Sequence, residues 1–342
     1  MKIRNINFII AAMIIASTLI IPKISHAAGN NIYVERIYGS NRYETAIKIS
    51  QRDFDMATYA VVASGEKYAD ALVGGTLAVQ GDGPIFLTSK NAIDNSTLKE
   101  LKMLNVKKVF LLGGENTISK TVEREISKIA KVERLAGKDR FDTANMIATA
   151  RYKISFPHFE NAMGDLSAAI SPDSFADALT AAPFVAQLKT DADIYTYLNF
   201  YGNSLPPYMV IGGHKSVPKL SSEQYRIYGS NRYHTAVEVA KAYKTYLNKD
   251  IKTVVLASGV NYPDALASAP LVVNQEAVLL LTSKDRLSEE TRRYIKDNKI
   301  QRVIIVGGNN SVSKQVVRDI KNIDFSQNEK IVVENPTLPK SK

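Results

Sequence analysis

Glu35-Arg36-Ile37-Tyr38-Gly39-Ser40-Asn41-Arg42-Tyr43-Glu44-Thr45-Ala46 decides how the chain is read, because it occurs three times. The second copy is Glu133-Arg134-Leu135-Ala136-Gly137-Lys138-Asp139-Arg140-Phe141-Asp142-Thr143-Ala144. The third is Tyr225-Arg226-Ile227-Tyr228-Gly229-Ser230-Asn231-Arg232-Tyr233-His234-Thr235-Ala236, and the starts lie 98 and then 92 residues apart. Three more blocks recur in the same order. Ala63-Ser64-Gly65-Glu66-Lys67-Tyr68-Ala69-Asp70-Ala71-Leu72 matches Ser171-Pro172-Asp173-Ser174-Phe175-Ala176-Asp177-Ala178-Leu179 and Ala257-Ser258-Gly259-Val260-Asn261-Tyr262-Pro263-Asp264-Ala265-Leu266. Pro84-Ile85-Phe86-Leu87-Thr88-Ser89-Lys90 matches Val278-Leu279-Leu280-Leu281-Thr282-Ser283-Lys284. Phe110-Leu111-Leu112-Gly113-Gly114, Met209-Val210-Ile211-Gly212-Gly213 and Ile304-Ile305-Val306-Gly307-Gly308 also correspond. A period of about a hundred residues is that of a small domain, well beyond that of a solenoid repeat. Small domains bury a limited fraction of their surface, and the links are short, so the three copies are expected to pack as one body.

Within the first copy, Asn41 is placed to cap a helix, with Glu44 completing a capping box. Tyr43, Ala46 and Ile47 then share one helical face. Tyr59–Ala63, Ile85–Leu87 and Val106–Leu112 read as buried strands. Asp70–Gln80, Thr97–Leu104 and Ser119–Ile129 read as helices. Strand and helix in alternation predict an α/β fold: parallel sheets with helices on both faces, once per repeat.

The N-terminus reads as an export signal. Lys2 and Arg4 precede an apolar run, Phe8–Ile21, and Ser25-His26-Ala27 supplies a small-residue cleavage site after residue 27. The run is short for a spanning helix, and no other stretch is long enough to cross a membrane. The expected division is therefore 1–27 signal, repeats at 35–132, 133–224 and 225–324, and a polar tail at 325–342. The tail offers neither a membrane anchor nor a covalent sorting signal. With no cysteine, disulfides, thiolate metal sites and thiol nucleophiles are excluded. The formal charge is +10, and removing the three basic residues of the signal leaves +7. A basic exported chain concentrates near anionic polymers, and export argues against nucleic acid.

Arg42, Arg140 and Arg232 sit one residue past the helix cap, where the helix dipole disfavours a cation. Two readings stand side by side. The arginines pair structurally with Asp70, Asp177 and Asp264, tying the first helix to the second, or they contact a ligand; a guanidinium fork can do both. The neighbouring aromatics Tyr43, Phe141 and Tyr233 read as core anchors. The Gly-Gly pairs read as tight strand-to-helix turns, with no G-x-G-x-x-G or P-loop lysine beside them. The histidines past residue 27 (His158, His214 and His234) share no metal spacing, and no nucleophile elbow is present. No cofactor, metal or catalytic residue is expected.

These blocks resemble the cell wall binding repeat 2 family of clostridia and related Gram-positive bacteria. The resemblance rests on E-R-[IL]-x-G-x-[ND]-R-[YF]-x-T-A, the aromatic-x-D-A-L block and the strand ending in Gly-Gly, and runs from about Glu35 to Ile323. It implies three Rossmann-like modules in pseudo-three-fold arrangement, anchoring S-layer-associated proteins non-covalently to an anionic, phosphate-bearing wall polysaccharide. It also implies that an apolar motif takes part in binding, here Ile85-Phe86-Leu87 and Leu279-Leu280-Leu281, with Asp193-Ile194-Tyr195-Thr196-Tyr197-Leu198 standing in its place in the second repeat. Lys90 and Lys284 follow those motifs and join the arginines as expected phosphate contacts. The expectation is a secreted wall protein that anchors through several weak sites, in contact with the polysaccharide and with S-layer proteins. A Rossmann-like wall-modifying enzyme using Asp70, Asp177 or Asp264, and a host-facing adhesin, are the alternatives.

Overall fold

The computed structural model describes residues 32–155, 167–189, 196–202 and 207–325. The export signal, His158, Asp193-Ile194-Tyr195 and all of the tail past Phe325 lie outside the described residues. The first repeat runs β1 (Tyr33–Ile37), α1 (Arg42–Asp53), β2 (Tyr59–Ser64), α2 (Tyr68–Gln80), β3 (Ile85–Thr88), α3 (Asn95–Met103), β4 (Lys108–Leu112) and α4 (Lys120–Ser127). The second contributes β5 (Lys131–Leu135), α5 (Arg140–Ser155), β6 (Ser167–Ile170), α6 (Phe175–Val185), β7 (Tyr197–Phe200) and β8 (Met209–Ile211). The third contributes β9 (Tyr225–Ile227), α7 (Arg232–Leu247), β10 (Thr253–Ser258), a 3₁₀ turn (Pro263–Ala267), α8 (Ser268–Asn274), β11 (Ala277–Thr282), α9 (Glu289–Asp297), β12 (Arg302–Val306) and α10 (Lys314–Lys321).

Three four-stranded sheets result, parallel throughout, in the orders β3-β2-β4-β5, β7-β6-β8-β9 and β11-β10-β12-β1. Each sheet thus takes its fourth strand from another repeat. The [Glu/Tyr]-Arg-[Ile/Leu] stretch that opens a repeat is an edge strand on the sheet before it, and β1 returns to β12 so that the third sheet is completed by the first repeat. This strand was not expected from the sequence. Its polar residues are half-buried and only Ile37 is buried, so it carries none of the apolar continuity that marked the strands inside the sheet. Glu35 accepts from Arg52 at 2.9 Å and from Arg302 at 2.6 Å, an ion network that fixes the closing strand to both the first and the third repeat.

The helices of the second block converge on a pseudo-three-fold axis. Tyr68, Phe175 and Tyr262 occupy one repeat position, and their rings meet pairwise at centroid distances of 4.9, 5.1 and 6.4 Å. About two turns deeper, Gly75, Ala182 and Ala269 also share a position. A Cβ on Gly75 would stand 2.9 Å from that of Ala269 and 3.3 Å from that of Ala182, so small side chains let the helices approach here. The expected fold, three parallel Rossmann-like sheets around a pseudo-three-fold axis, is the one observed.

Two local expectations need correction. Asn41 does cap α1, accepting from the Glu44 amide at 2.9 Å, but the Glu44 carboxylate bonds the amide and hydroxyl of Ser40 (2.7 and 2.6 Å) rather than the amide of Asn41. Asp142 and the ring of His234 reach the amides of Lys138 and Ser230 in the same way, so three different side chains close one loop. Strand register also moves the apolar motif of the second repeat. Ile85, Phe86 and Leu87 pair with Val61, Val62 and Ala63, and the residues so paired in the second sheet are Leu198, Asn199 and Phe200. The polar Asn199, buried and donating to Asn145 at 3.1 Å, breaks the apolar run that would have located them.

Candidate ligand-binding clefts

A strand order of 2-1-3-4 places a topological switch point between the first and third strands of each sheet, where chains wound in opposite directions leave a crevice at the carboxyl edge. In the first sheet these strands are β2 and β4. Asp70 follows β2 at the start of α2, and Gly113-Gly114 follows β4. They meet: a Cβ on Gly113 would lie 2.7 Å from the Asp70 carboxylate. Gly212 with Asp177 (3.2 Å) and Gly307 with Asp264 (2.9 Å) repeat the contact. All three glycines have positive φ (103°, 134° and 110°), a backbone that side chains rarely tolerate, so the first Gly of each pair is required twice over.

The turn is held by a residue the sequence reading passed over. Arg36, Arg134 and Arg226, the arginines of the exchanged edge strands, donate to the carbonyls of Gly307, Gly113 and Gly212 at 2.6, 2.7 and 2.9 Å. Their recurrence in all three copies was the available signal. Thr45, Thr143 and Thr235 play a second shared part. Their hydroxyls accept from the amides of Gly39, Gly137 and Gly229 at 3.0–3.1 Å, folding each loop tightly onto the helix it precedes.

The structure bears on the pairing reading of the other arginines. Arg42, Arg140 and Arg232 do not pair with the aspartate of their own repeat. Each donates instead to a backbone carbonyl of its own second-block loop: Gly65, Pro172 (2.9 Å) and Gly259. Pro172 thus preserves the acceptor despite the altered sequence, and Asp173 adds a looser contact to Arg140 at 3.6 Å. Arg140 and Arg232 act on the aspartate of the repeat before them, and Arg42 lines a cleft with Asp264 of the third repeat. Burial pushes the Asp70 carboxyl up, while the charge of Arg140 pulls it back; burial likewise raises Asp177, opposed by the Ser174 hydroxyl and by Arg232. Asp264 accepts from Ser311 at 2.7 Å and from Thr45 of the first repeat at 3.0 Å. These are exchanges between neighbours, made possible because each helix N-terminus follows a strand lent to the preceding sheet.

Clefts open at these junctions. One, of about 690 Å³, is lined by Asp70 and Gly114 of the first repeat, Lys138 and Arg140 of the second, and Tyr262 of the third. Another, of about 510 Å³, holds Asp264 and Ser311 together with Tyr38, Asn41 and Arg42. The expected apolar motifs are elsewhere: Ile85, Phe86, Leu87, Leu279, Leu280 and Leu281 are at most 3% exposed and fill the sheet cores. Lys90 and Lys284 are exposed at the carboxyl ends of β3 and β11, where their carbonyls accept from Ser119 and Ser313 at 2.9 and 2.8 Å. Among the described residues no cluster of His, Asp and Glu suits a metal ion, and no helix is long and apolar enough to cross a membrane.

Comparison with known proteins agrees with the repeat structure. The family model described as cell wall binding domain 2 matches residues 36–123, 134–221 and 226–317. The chain is 31% identical over 305 residues to the N-acetylmuramoyl-L-alanine amidase LytC of Bacillus subtilis, covering 84% of this chain and 58% of that protein. It is 27% identical to the amidase enhancer of Bacillus subtilis, over 84% of this chain and 40% of that one. Two solved structures share the fold: Cwp6 from Clostridium difficile (TM-score 0.67, 24% identity, 82% of this chain and 46% of that one) and Cwp8 from Clostridium difficile (TM-score 0.68, 22% identity, 86% and 52%). The chain therefore spans between two fifths and three fifths of the length of each.

Proposed function

The chain belongs to the cell wall binding domain 2 family, with three copies in tandem, and from that premise we propose that it anchors itself non-covalently to an anionic wall polysaccharide through clefts at its inter-repeat junctions. The observation that carries this reading is that the charge of Arg140 bears on Asp70 and that of Arg232 on Asp177, while Asp264 and Arg42 line one cleft, at the carboxyl edges of three like sheets. The Asp70–Arg140 and Asp264–Arg42 junctions each bring a carboxylate, a guanidinium and a helix N-terminus to an open cleft, which is the equipment for a polar, charge-bearing sugar chain. Lys90 and Lys284, free of the core, would add phosphate contacts at the same edges. The buried Ile85-Phe86-Leu87 and Leu279-Leu280-Leu281 would act by setting the position of the loops that carry these lysines.

In this reading the protein is exported, sits in the wall beside S-layer proteins and has no catalysis of its own. Several weak contacts on one rigid body raise overall avidity by roughly 10² to 10⁴ over any single one. Attraction between exposed cations and phosphate is screened by salt. Sedimentation of the protein with purified Gram-positive walls should therefore lose affinity steadily as salt is raised from about 50 mM to 500 mM, well over a Debye length's worth of screening. Binding that ignores salt removes the charged contacts from the proposal, and failure to sediment at any salt removes anchoring itself.

A further inference from the structure

Among the positions at which the three junctions differ, one carries a large ring in two of them. The residue before the loop glycine of the first block is Tyr38, Ala136 or Tyr228. Tyr38 and Tyr228 are 50% and 47% exposed. Each lies over the second glycine of a Gly-Gly pair. A Cβ on Gly308 would meet the Tyr38 ring at 3.6 Å, and one on Gly213 the Tyr228 ring at 4.0 Å. The same point on Gly114, opposite Ala136, has nothing within 4 Å. Other contacts steady both rings: the Lys48 ammonium stands 5.7 Å from the Tyr38 centroid, and the His214 ring packs edgewise on Tyr228 at 5.3 Å. Tyr38 thus lines the Asp264–Arg42 cleft, Tyr228 takes the like place at the Asp177–Arg232 junction, and about half of each ring's surface is in water.

We infer that Tyr38 and Tyr228 are stacking platforms for sugar rings of the wall polymer, and that Ala136 leaves this position without a ring beside the Asp70–Arg140 cleft. This deepens the wall-binding reading and rests on it. The chemistry beside Tyr38 supports a sugar as the occupant. Its cleft carries one carboxylate and one guanidinium, Asp264 and Arg42, which balance. The remaining polar lining is neutral amide and hydroxyl, including Asn261, Asn309, Asn310 and Ser311. Such groups bond hydroxyls in either sense, and a fixed aromatic ring offers an apolar face to the C–H side of a pyranose. A phosphate alone would have no use for the ring. The molecule then has two junctions with a ring at this position and one without, whose cleft is lined instead by charges of both signs, Lys67, Lys138 and Arg140 against Glu66, Asp70, Glu115 and Asp139.

The test measures half-saturation on protein-free purified Gram-positive walls for the full chain and its variants, each checked for an unchanged melting temperature. Tyr38→Ala and Tyr228→Ala should each weaken binding roughly tenfold, the scale of a lost aromatic contact, and the double variant further. Tyr38→Phe and Tyr228→Phe should bind as the parent does, and Ala136→Tyr should bind more tightly. A double alanine variant that binds like the parent overturns the platforms while leaving wall binding intact. Phenylalanine variants as weak as the alanine ones overturn stacking in favour of the hydroxyl. An Ala136→Tyr variant with unchanged affinity refutes the assigned difference between clefts. If the parent itself fails to bind walls, the wall-binding reading falls and the platforms fall with it.

Discussion

Asp70 and Asp177 are costly residues for a fold to carry. Both lie against a Gly-Gly turn, and burial raises both carboxyls above the ordinary range near 3.9. A folded-state value above the unfolded one means that the native protein keeps a proton that the unfolded chain has lost. Stability is then full below the unfolded value, falls as pH rises through the window up to the folded value, and stays lower above it. Asp70→Asn with Asp177→Asn should therefore melt higher than the parent near neutral pH, by about 2–4 °C for each kcal/mol recovered, with the difference closing toward pH 4. The same double variant should bind walls more weakly, because it removes a carboxylate from the Asp70–Arg140 cleft. A variant that loses stability instead would show that Arg140 and Arg232 compensate the burial fully. Stability given up at a site that serves binding is a familiar trade.

Among the elements, the exchanged edge strand does most to organise the molecule. Deleting Tyr33–Ile37 strips β12 of its parallel partner, removes Glu35 from between Arg52 and Arg302, and frees the Gly307 carbonyl from Arg36. The shortened chain should melt at least 10 °C lower and associate with rising concentration in size-exclusion chromatography, since an open, flat strand edge recruits other chains. This element also shows where the sequence stopped being legible. The inner strands announced themselves by apolar runs buried on both faces, and α1 by Asn41, so the sheet type and most helices could be read directly. Tyr33–Ile37 shows only one buried side chain and mixes charges into its length, because one edge faces solvent. The Arg–Asp relation failed for a different reason. With three near-identical copies, spacing alone cannot tell whether Arg140 faces Asp177 of its own repeat or Asp70 of the one before, and only the strand exchange decides. Tyr38 and Tyr228 were quoted in the motif but had no visible part, since exposure is not written in a single sequence.

At the scale of the whole molecule, the repeats are bound at their rims by lent strands and at their centre by Tyr68, Phe175 and Tyr262. No sheet is complete within its own sequence copy, so unfolding one copy exposes the edge of another and the body should melt in one step. The closing of β1 onto β12 has a further consequence. Between the first and second repeats the chain passes from Ser127 to Lys131 through only Lys128-Ile129-Ala130, and around the third repeat α10 ends at Lys321 in the corresponding place. A gene that starts at Lys131, runs to Phe325 and continues into Ile32 through Ala130 should yield the same body with its origin moved by a third of a turn. Circular dichroism and wall sedimentation of that permutant should match the parent to within a few degrees and about twofold in affinity. What the ribosome makes as a line, this architecture treats as a wheel, in which first and last are accidents of where the message was cut.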